Sequence, residues 1–173
     1  MRIYFIRHTT PDVKKGICYG QTDLELVDTY SEEFDTVLSQ LPDTFDAVYS
    51  SPLKRCTQLA KAINPKIIVD HRLKEMNFGN WEMQAWDDIP KTEILPWFED
   101  YVNVPAKNGE SFISMNERVL NFYNFLIAQG HEQVAVVSHA GTMRCLLSYI
   151  NNTPLKSSFE QIYVEYGGVV IKV

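Results

Sequence analysis

Cysteine is scarce in these 173 residues, with only Cys18, Cys56 and Cys145. They are odd in number, far apart and in no metal-ligand spacing. That excludes a disulfide framework and a thiolate-built metal site, and the expected compartment is a reducing cytoplasm. Positive charge is also in short supply: 16 Lys and Arg stand against 22 Asp and Glu, for a formal charge of −6. A nucleic-acid surface built on bulk positive charge is thereby excluded, although a small local anion pocket is not. No apolar run approaches the roughly 18 residues needed to cross a bilayer. Near the N-terminus, Ile3-Tyr4-Phe5-Ile6 supplies four apolar residues before charge resumes, whereas a secretory signal needs about 7–15. The expectation is therefore a protein with neither a nucleic-acid nor a membrane partner. There is no internal repeat, low-complexity tract or Gly/Ser linker, so residues 1–173 read as a single domain. A domain of this size buries roughly two thirds of its unfolded surface and needs no disulfide or metal staple.

What is present is an alternation of strand and helix signals. Residues 2–7 are an apolar run of β-branched and aromatic side chains, which predicts a buried strand. Residues 8–27 read as loop. Phe34, Val37, Leu38 and Leu41 share one face of a helix over 30–41. A second strand follows at 45–50, then Ser51 as N-cap with Pro52 at the first helical position. Leu53, Cys56, Ala60 and Ile63 form that helix's apolar stripe. A third strand is expected at 66–69. Phe112, Met115, Val119, Phe122 and Leu126 step by three and four, a helical spacing. Residues 133–138 read as a strand, and Met143, Leu146, Leu147 and Ile150 as the helix after it. Two final runs, 159–166 and 169–173, flank Gly167-Gly168 as a hairpin. The pattern predicts an α/β three-layer sandwich: a mostly parallel central sheet, helices on both faces and an antiparallel edge strand.

In such a sheet, ligands bind beyond the carboxyl ends of the strands. The first strand ends in Arg7-His8. The second leads into Ser51-Pro52-Leu53-Lys54-Arg55, with Arg55 in a first helical turn. The later strand ends in Ser138-His139, and Ala140-Gly141-Thr142 opens a helix. Two arginines, two histidines and two helix N-termini would converge on one crevice. Guanidinium forks and free helix N–H groups both match a phosphate. A neutral imidazole there can attack phosphorus, and the leaving alkoxide then needs a proton. Glu75, after the third strand, is the candidate acid. Taken singly, a histidine at a strand end also reads as a hydrogen-bonded structural residue, and Glu75 as a surface charge. His71 and His131 are expected at the surface, and Cys18 and Cys145 as packing residues.

These residues resemble the motifs of the histidine phosphatase superfamily, the phosphoglycerate-mutase-like fold. Arg7-His8-Thr9 resembles its Arg-His-Gly signature, and Ser50 to Arg55 its Ser-x-Leu-x-Arg segment. Leu73-Lys74-Glu75 with Phe78-Gly79-Asn80-Trp81-Glu82 resembles the acid-bearing stretch. Gly109-Glu110-Ser111 with Arg118 is similar to the Gly-Glu-Ser helix start, and Ser138-His139-Ala140-Gly141 to the second-histidine motif. The matches run in the family's order from residue 2 to about 145. The resemblance implies His8 as the phosphorylated nucleophile, Arg7, Arg55 and His139 as the phosphate pocket, and Glu75 as proton donor. It implies no metal and no cofactor. The chain departs from the pattern at Thr9, where Gly is usual, at Thr10-Pro11, where Glu-Thr often follows, and at Met83, where Gly is frequent.

The short chain has little room for the insertions that enclose a bisphosphate in the mutases, which favours hydrolysis of a small-molecule phosphate monoester. The loop Gly16 to Asp23 resembles the Cys-Tyr-Gly-Gln-x-Asp loop of the α-ribazole phosphatases. That resemblance implies α-ribazole 5′-phosphate as substrate and a place in cobalamin nucleotide-loop assembly. Gln21 and Thr22 of this loop, and Ala140 at the helix start after His139, are expected as further substrate contacts. The same loop also reads as a structural turn. Residues 78–101 hold Phe78, Trp81, Trp86, Trp97, Phe98 and Tyr101, which either stack on a planar base or pack a lid onto the core. A broad sugar-phosphate phosphatase, a small mutase and a phospho-ligand binding module without turnover are the competing readings.

Overall fold

The computed structural model describes residues 1–173. Its centre is a five-stranded sheet of β1 (Arg2–Arg7), β2 (Ala47–Ser50), β3 (Ile68–Val69), β4 (Gln133–Ser138) and β5 (Val169–Lys172), in the order β3-β2-β4-β1-β5. All pairs are parallel except β1 with β5. Six α-helices flank it: α1 (Tyr30–Leu38), α2 (Lys54–Ile63), α3 (Lys91–Glu99), α4 (Phe112–Ala128), α5 (Ala140–Asn151) and the single turn α6 (Ser158–Gln161).

The two-residue period of the strands sorts their side chains onto two faces. Ile3, Phe5, Val134 and Val136 join a cluster with Phe112, Met115, Val119 and Phe122 of α4 and Met143 and Leu146 of α5. Tyr4, Ile6, Val48, Ala135 and Val137 turn the other way, onto Phe34 and Val37 of α1 and Cys56, Leu59 and Ala60 of α2. The result is the expected three-layer sandwich of the phosphoglycerate-mutase-like kind. Cys18 and Cys145 are wholly buried in the first cluster.

Four local expectations need correction. The helix expected over 30–41 ends as an α-helix at Leu38. The third strand is only Ile68–Val69, both exposed. Ser51 does not cap α2: the helix begins at Lys54, whose N–H donates to the Asp23 carboxylate at 2.7 Å, so an acid from a distant loop does the capping. Nor does Gly167-Gly168 join two strands. Residues 158–161 are helical, and Gly168 N–H closes a turn on the Glu165 carbonyl with Gly167 at φ +67°. That turn lands on the end of β1: Gly167 N–H donates to the His8 carbonyl, and Arg7 N–H to Gly168. The glycines serve a close backbone approach instead of a hairpin. Helix α3 was read only as an aromatic stretch, because Pro96 lies inside it and breaks the usual helical signal.

Parallel register sets the site. Arg7 pairs with Ser138, and Val137 with Ser50, so the carboxyl ends of β1, β4 and β2 lie side by side.

Candidate active site

His8 follows β1 and is 2% exposed. Its N–H donates to the Ser138 carbonyl, so its backbone is bonded to β4 on one side and to the Gly167 turn on the other. The imidazole Nδ1–H donates to the Thr9 carbonyl at 2.7 Å. That bond selects the tautomer with a free lone pair on Nε2. Burial, then Arg55 and Arg7, hold the His8 pKa well below its ordinary 6.5. The ring is therefore held neutral, with Nε2 unprotonated.

His139, the last residue before α5, is fully buried with its ring centre 5.1 Å from that of His8. Its Nε2 is hydrogen-bonded to Ser51 Oγ at 2.8 Å, which is the use the structure makes of that serine. Burial, Arg55, His8 and Arg7 lower its pKa as well.

Two guanidinium groups flank the pair, each with a buried Nε that has no protein partner. Arg7 donates through one terminal nitrogen to the Val164 carbonyl at 2.6 Å and lies 3.7 Å below the Tyr166 ring. Arg55 is fully buried and donates to the carbonyls of Thr22 and Gly20 at 2.7 and 2.6 Å. Unpaired buried donors of this kind are expensive unless an anion arrives to accept from them.

The loop that holds Arg55 is itself held from the opposite side. The Glu82 carboxylate accepts from the N–H groups of Gly20, Gln21 and Thr22, from Phe78 N–H and from the Thr22 hydroxyl. Burial pushes this carboxyl up, but those hydrogen bonds outweigh it and keep the group below the ordinary carboxylate range. Loop 20–22 thus turns its N–H groups to an anion and its carbonyls to a cation.

Glu75 lines a cavity of about 190 Å³ together with Arg7, His8, Tyr19, Phe78 and Gly141. Its oxygens accept from Met76 N–H at 2.8 Å and Gly141 N–H at 3.1 Å. The backbone that carries it is gripped by Arg118, which donates to the carbonyls of Arg72, Lys74 and Glu75 while forked onto Glu110. The Gly-Glu-Ser segment and Arg118 therefore act on the acid-bearing stretch from outside the cavity.

Arg7, His8 and Glu75 line one cavity, while Arg55 and His139 are fully buried and do not form its wall, His139 lying against the His8 ring. Gln21 and Thr22 are placed differently: the Gln21 amide donates to the Glu75 carbonyl at 3.1 Å, and the Thr22 hydroxyl is spent on Glu82. Neither side chain forms the cavity wall, where the loop contributes Ile17 and Tyr19 instead. Ala140 is buried as the first residue of α5. His71 is exposed, while His131 is half-buried with Nε2 3.2 Å from the Tyr49 hydroxyl. The aromatic stretch divides. Phe78 and Trp86 face the cavity, while Trp81 and Trp97 are buried behind them, with Trp86 and Trp97 stacked at 5.8 Å.

Sequence reasoning missed Tyr166, Phe159 and Arg144 at the site. Only Arg144 had a usable signal, as the single charged residue of α5, one helical turn beyond Ala140.

The sheet order and the paired histidines at neighbouring strand ends are accounted for by descent. The sequence model of the histidine phosphatase superfamily (branch 1) matches residues 3–171, and the chain belongs to that superfamily. It is a phosphatase. The chain is 27% identical to the adenosylcobalamin/alpha-ribazole phosphatase of Salmonella typhimurium, over 91% of this chain and 83% of that protein. It is 26% identical to phosphoserine phosphatase 1 of Hydrogenobacter thermophilus, over 84% of this chain and 74% of that one. The crystal structure of the alpha-ribazole phosphatase from Shigella flexneri superposes with a TM-score of 0.88, at 26% identity, covering 99% of this chain and 89% of that one.

Proposed function

We propose that the protein hydrolyses a small phosphate monoester through a phosphohistidine on His8, without a metal. The observation that carries this reading is the His8 imidazole: neutral, with Nδ1–H committed to Thr9 and Nε2 free, between two guanidinium groups with unspent donors. In the first step Nε2 attacks phosphorus, the N–P bond forms and the P–O ester bond breaks. The acid form of Glu75 gives its proton to the departing alkoxide. Arg7, Arg55 and His139 stabilise the charge on the phosphoryl oxygens. In the second step Glu75 takes a proton from water as the water oxygen attacks phosphorus. The N–P bond then breaks and inorganic phosphate leaves.

The ester we propose first is α-ribazole 5′-phosphate, giving α-ribazole and phosphate in the cytoplasm during cobalamin nucleotide-loop assembly. Support comes from the loop Gly16–Asp23, whose Ile17 and Tyr19 face the cavity, and from Phe78 and Trp86, flat surfaces suited to a planar base. The alpha-ribazole phosphatases among its relatives point the same way.

The test is phosphate release from α-ribazole 5′-phosphate beside a panel of sugar phosphates and nucleotides, in chelator, with His8→Ala as control. A strong preference for the ribazole ester that is lost in the variant is the expected result. Even, weak hydrolysis across the panel would retain the phosphohistidine chemistry and remove the cobalamin assignment. A His8→Ala protein that still turns over would remove both.

A further inference from the structure

Arg7 and Arg55 are anchored differently. Arg55 is held by two carbonyls, those of Thr22 and Gly20. Arg7 has one such anchor, the Val164 carbonyl, and its Nε is buried without a partner. A guanidinium tethered at one nitrogen can still swing about that bond, so something else has to set the plane in which its free donors lie.

The second anchor is an aromatic face. The Arg7 guanidinium carbon lies 3.7 Å over the centre of the Tyr166 ring. At that separation the group lies flat on the ring, because an edge-on approach would drive an N–H into the π cloud. A flat contact adds cation–π attraction and leaves the in-plane donors free for an anion. The same ring stands 5.6 Å from the His8 imidazole. Tyr166 is 39% exposed, so burial alone does not hold it. Its phenol is hydrogen-bonded to the hydroxyl of Tyr19, and the turn after it bonds to the backbone of Arg7 and His8 through Gly168 and Gly167. Tyr19 lines the cavity of His8 and Glu75, whereas Tyr166 joins it only in a neighbouring cavity of about 270 Å³, beside Lys14 and Lys15.

We infer that Tyr166 is a positioning residue for phosphate binding: its ring fixes the plane of the Arg7 guanidinium, and its bond to Tyr19 keeps the ring in place. This rests on the phosphatase reading and deepens it, since a side chain outside the wall of the catalytic cavity sets how tightly the phosphoryl group is held.

The experiment is a double-mutant cycle read by calorimetric binding of inorganic phosphate, with kcat/KM for p-nitrophenyl phosphate alongside. Tyr166→Leu removes the ring and should weaken phosphate about tenfold, the worth of a desolvated cation–π contact. Tyr166→Phe keeps the ring and loses only the bond to Tyr19, so it should stay within about threefold of the wild type. In the Arg7→Lys background the cation is a point charge with no plane to fix. There Tyr166→Leu should cost less than about twofold, whereas a tyrosine that merely supports the fold would cost the same in both backgrounds. Equal losses in the two backgrounds overturn the inference. So does a leucine variant that binds phosphate as the wild type does, or a phenylalanine variant as weak as the leucine one. Should Tyr166→Leu not fold, Tyr166→Gln, also without a π face, takes its place in the cycle. The two failures separate: a wild type that binds phosphate but hydrolyses no ester removes the phosphatase mechanism and leaves the cycle to decide on Tyr166, whereas equal losses in an active enzyme remove only the positioning role.

Discussion

A methyl group at position 141 would stand 2.2 Å from Oε1 of Glu75. Gly141, the second residue of α5, is therefore the space in which the candidate acid sits, and its N–H is one of that carboxylate's two backbone donors. Gly141→Ala should push Glu75 out of place while leaving every charged group in the protein. Misplacement on this scale costs about 100-fold in rate, and the crowding about 1–3 kcal/mol in stability. Steady-state kinetics on an alkyl phosphate, with thermal unfolding alongside, would check both.

Removing only the proton from the same position gives a complementary result. Glu75→Gln should slow alkyl phosphates by about 100-fold or more, and p-nitrophenyl phosphate far less, because that leaving group departs without protonation. Equal losses on the two esters would count against Glu75 as donor.

The clamp on Arg55 is testable from its far side. Glu82→Gln replaces an anion that accepts from several N–H groups with an amide that has one acceptor and an NH₂ facing donors. Loop 20–22 should loosen and Arg55 lose its bearing. The expected readout is a rise of about tenfold in the inhibition constant of inorganic phosphate, within the range for one charged hydrogen bond. Glu82→Asp should recover part of it. An unchanged phosphate constant would mean that Arg55 is held without the loop.

Both buried histidines make stability depend on pH. Each is neutral in the fold, with its pKa well below 6.5, but takes up a proton near 6.5 in the unfolded chain. Below that pH the unfolded state binds more protons, so stability falls with pH, by up to about 1.4 kcal/mol per unit for each ring. Asp46, Glu82 and Glu93, whose pKa values are lowered, add their own losses only at more acid pH, below their ordinary 3.8 to 4.5. Urea unfolding at pH 7.5, 6.5 and 5.5 should show the decline, and replacing His139 with Gln should flatten it.

Met83 stands where the superfamily often has glycine, and the backbone explains the preference: its φ is +65°. The side chain is 48% exposed, so little packing is lost by removing it. Met83→Gly should stabilise the fold by about 0.5–1 kcal/mol, the relief of left-handed strain less the added chain entropy. A small rise in Tm with unaltered kinetics is the expected result.

Much of this architecture could be read from local patterns. Arg7-His8 and Ser138-His139 end apolar strands, and Arg55 opens a helix, so one rule about strand ends was enough to group them. Glu75 was singled out from its place after the expected third strand, although that strand is only two residues long, and taken alone it also read as a surface charge. Tyr166 was illegible for a different reason. Nothing near it in sequence says that its turn will settle on β1, since that contact depends on the whole sheet being assembled. Gln21 and Thr22 were read as reaching the substrate because the loop pattern names residues and not directions. Their backbone groups do the work, between Glu82 and Arg55.

The position of β1 between β4 and β5 has a consequence for how the protein is made. The strand that leads into His8 is the first of the five to be synthesised, yet both its neighbours belong to the last quarter of these 173 residues. At ~5–20 residues per second, a ribosome needs roughly 6–25 s to travel from Arg7 to Gln133. Throughout that interval Ile3-Tyr4-Phe5-Ile6 waits without a partner strand, an apolar segment open to chaperones and to mispairing. His8 is therefore translated long before the strands that flank β1 and hold its backbone in place.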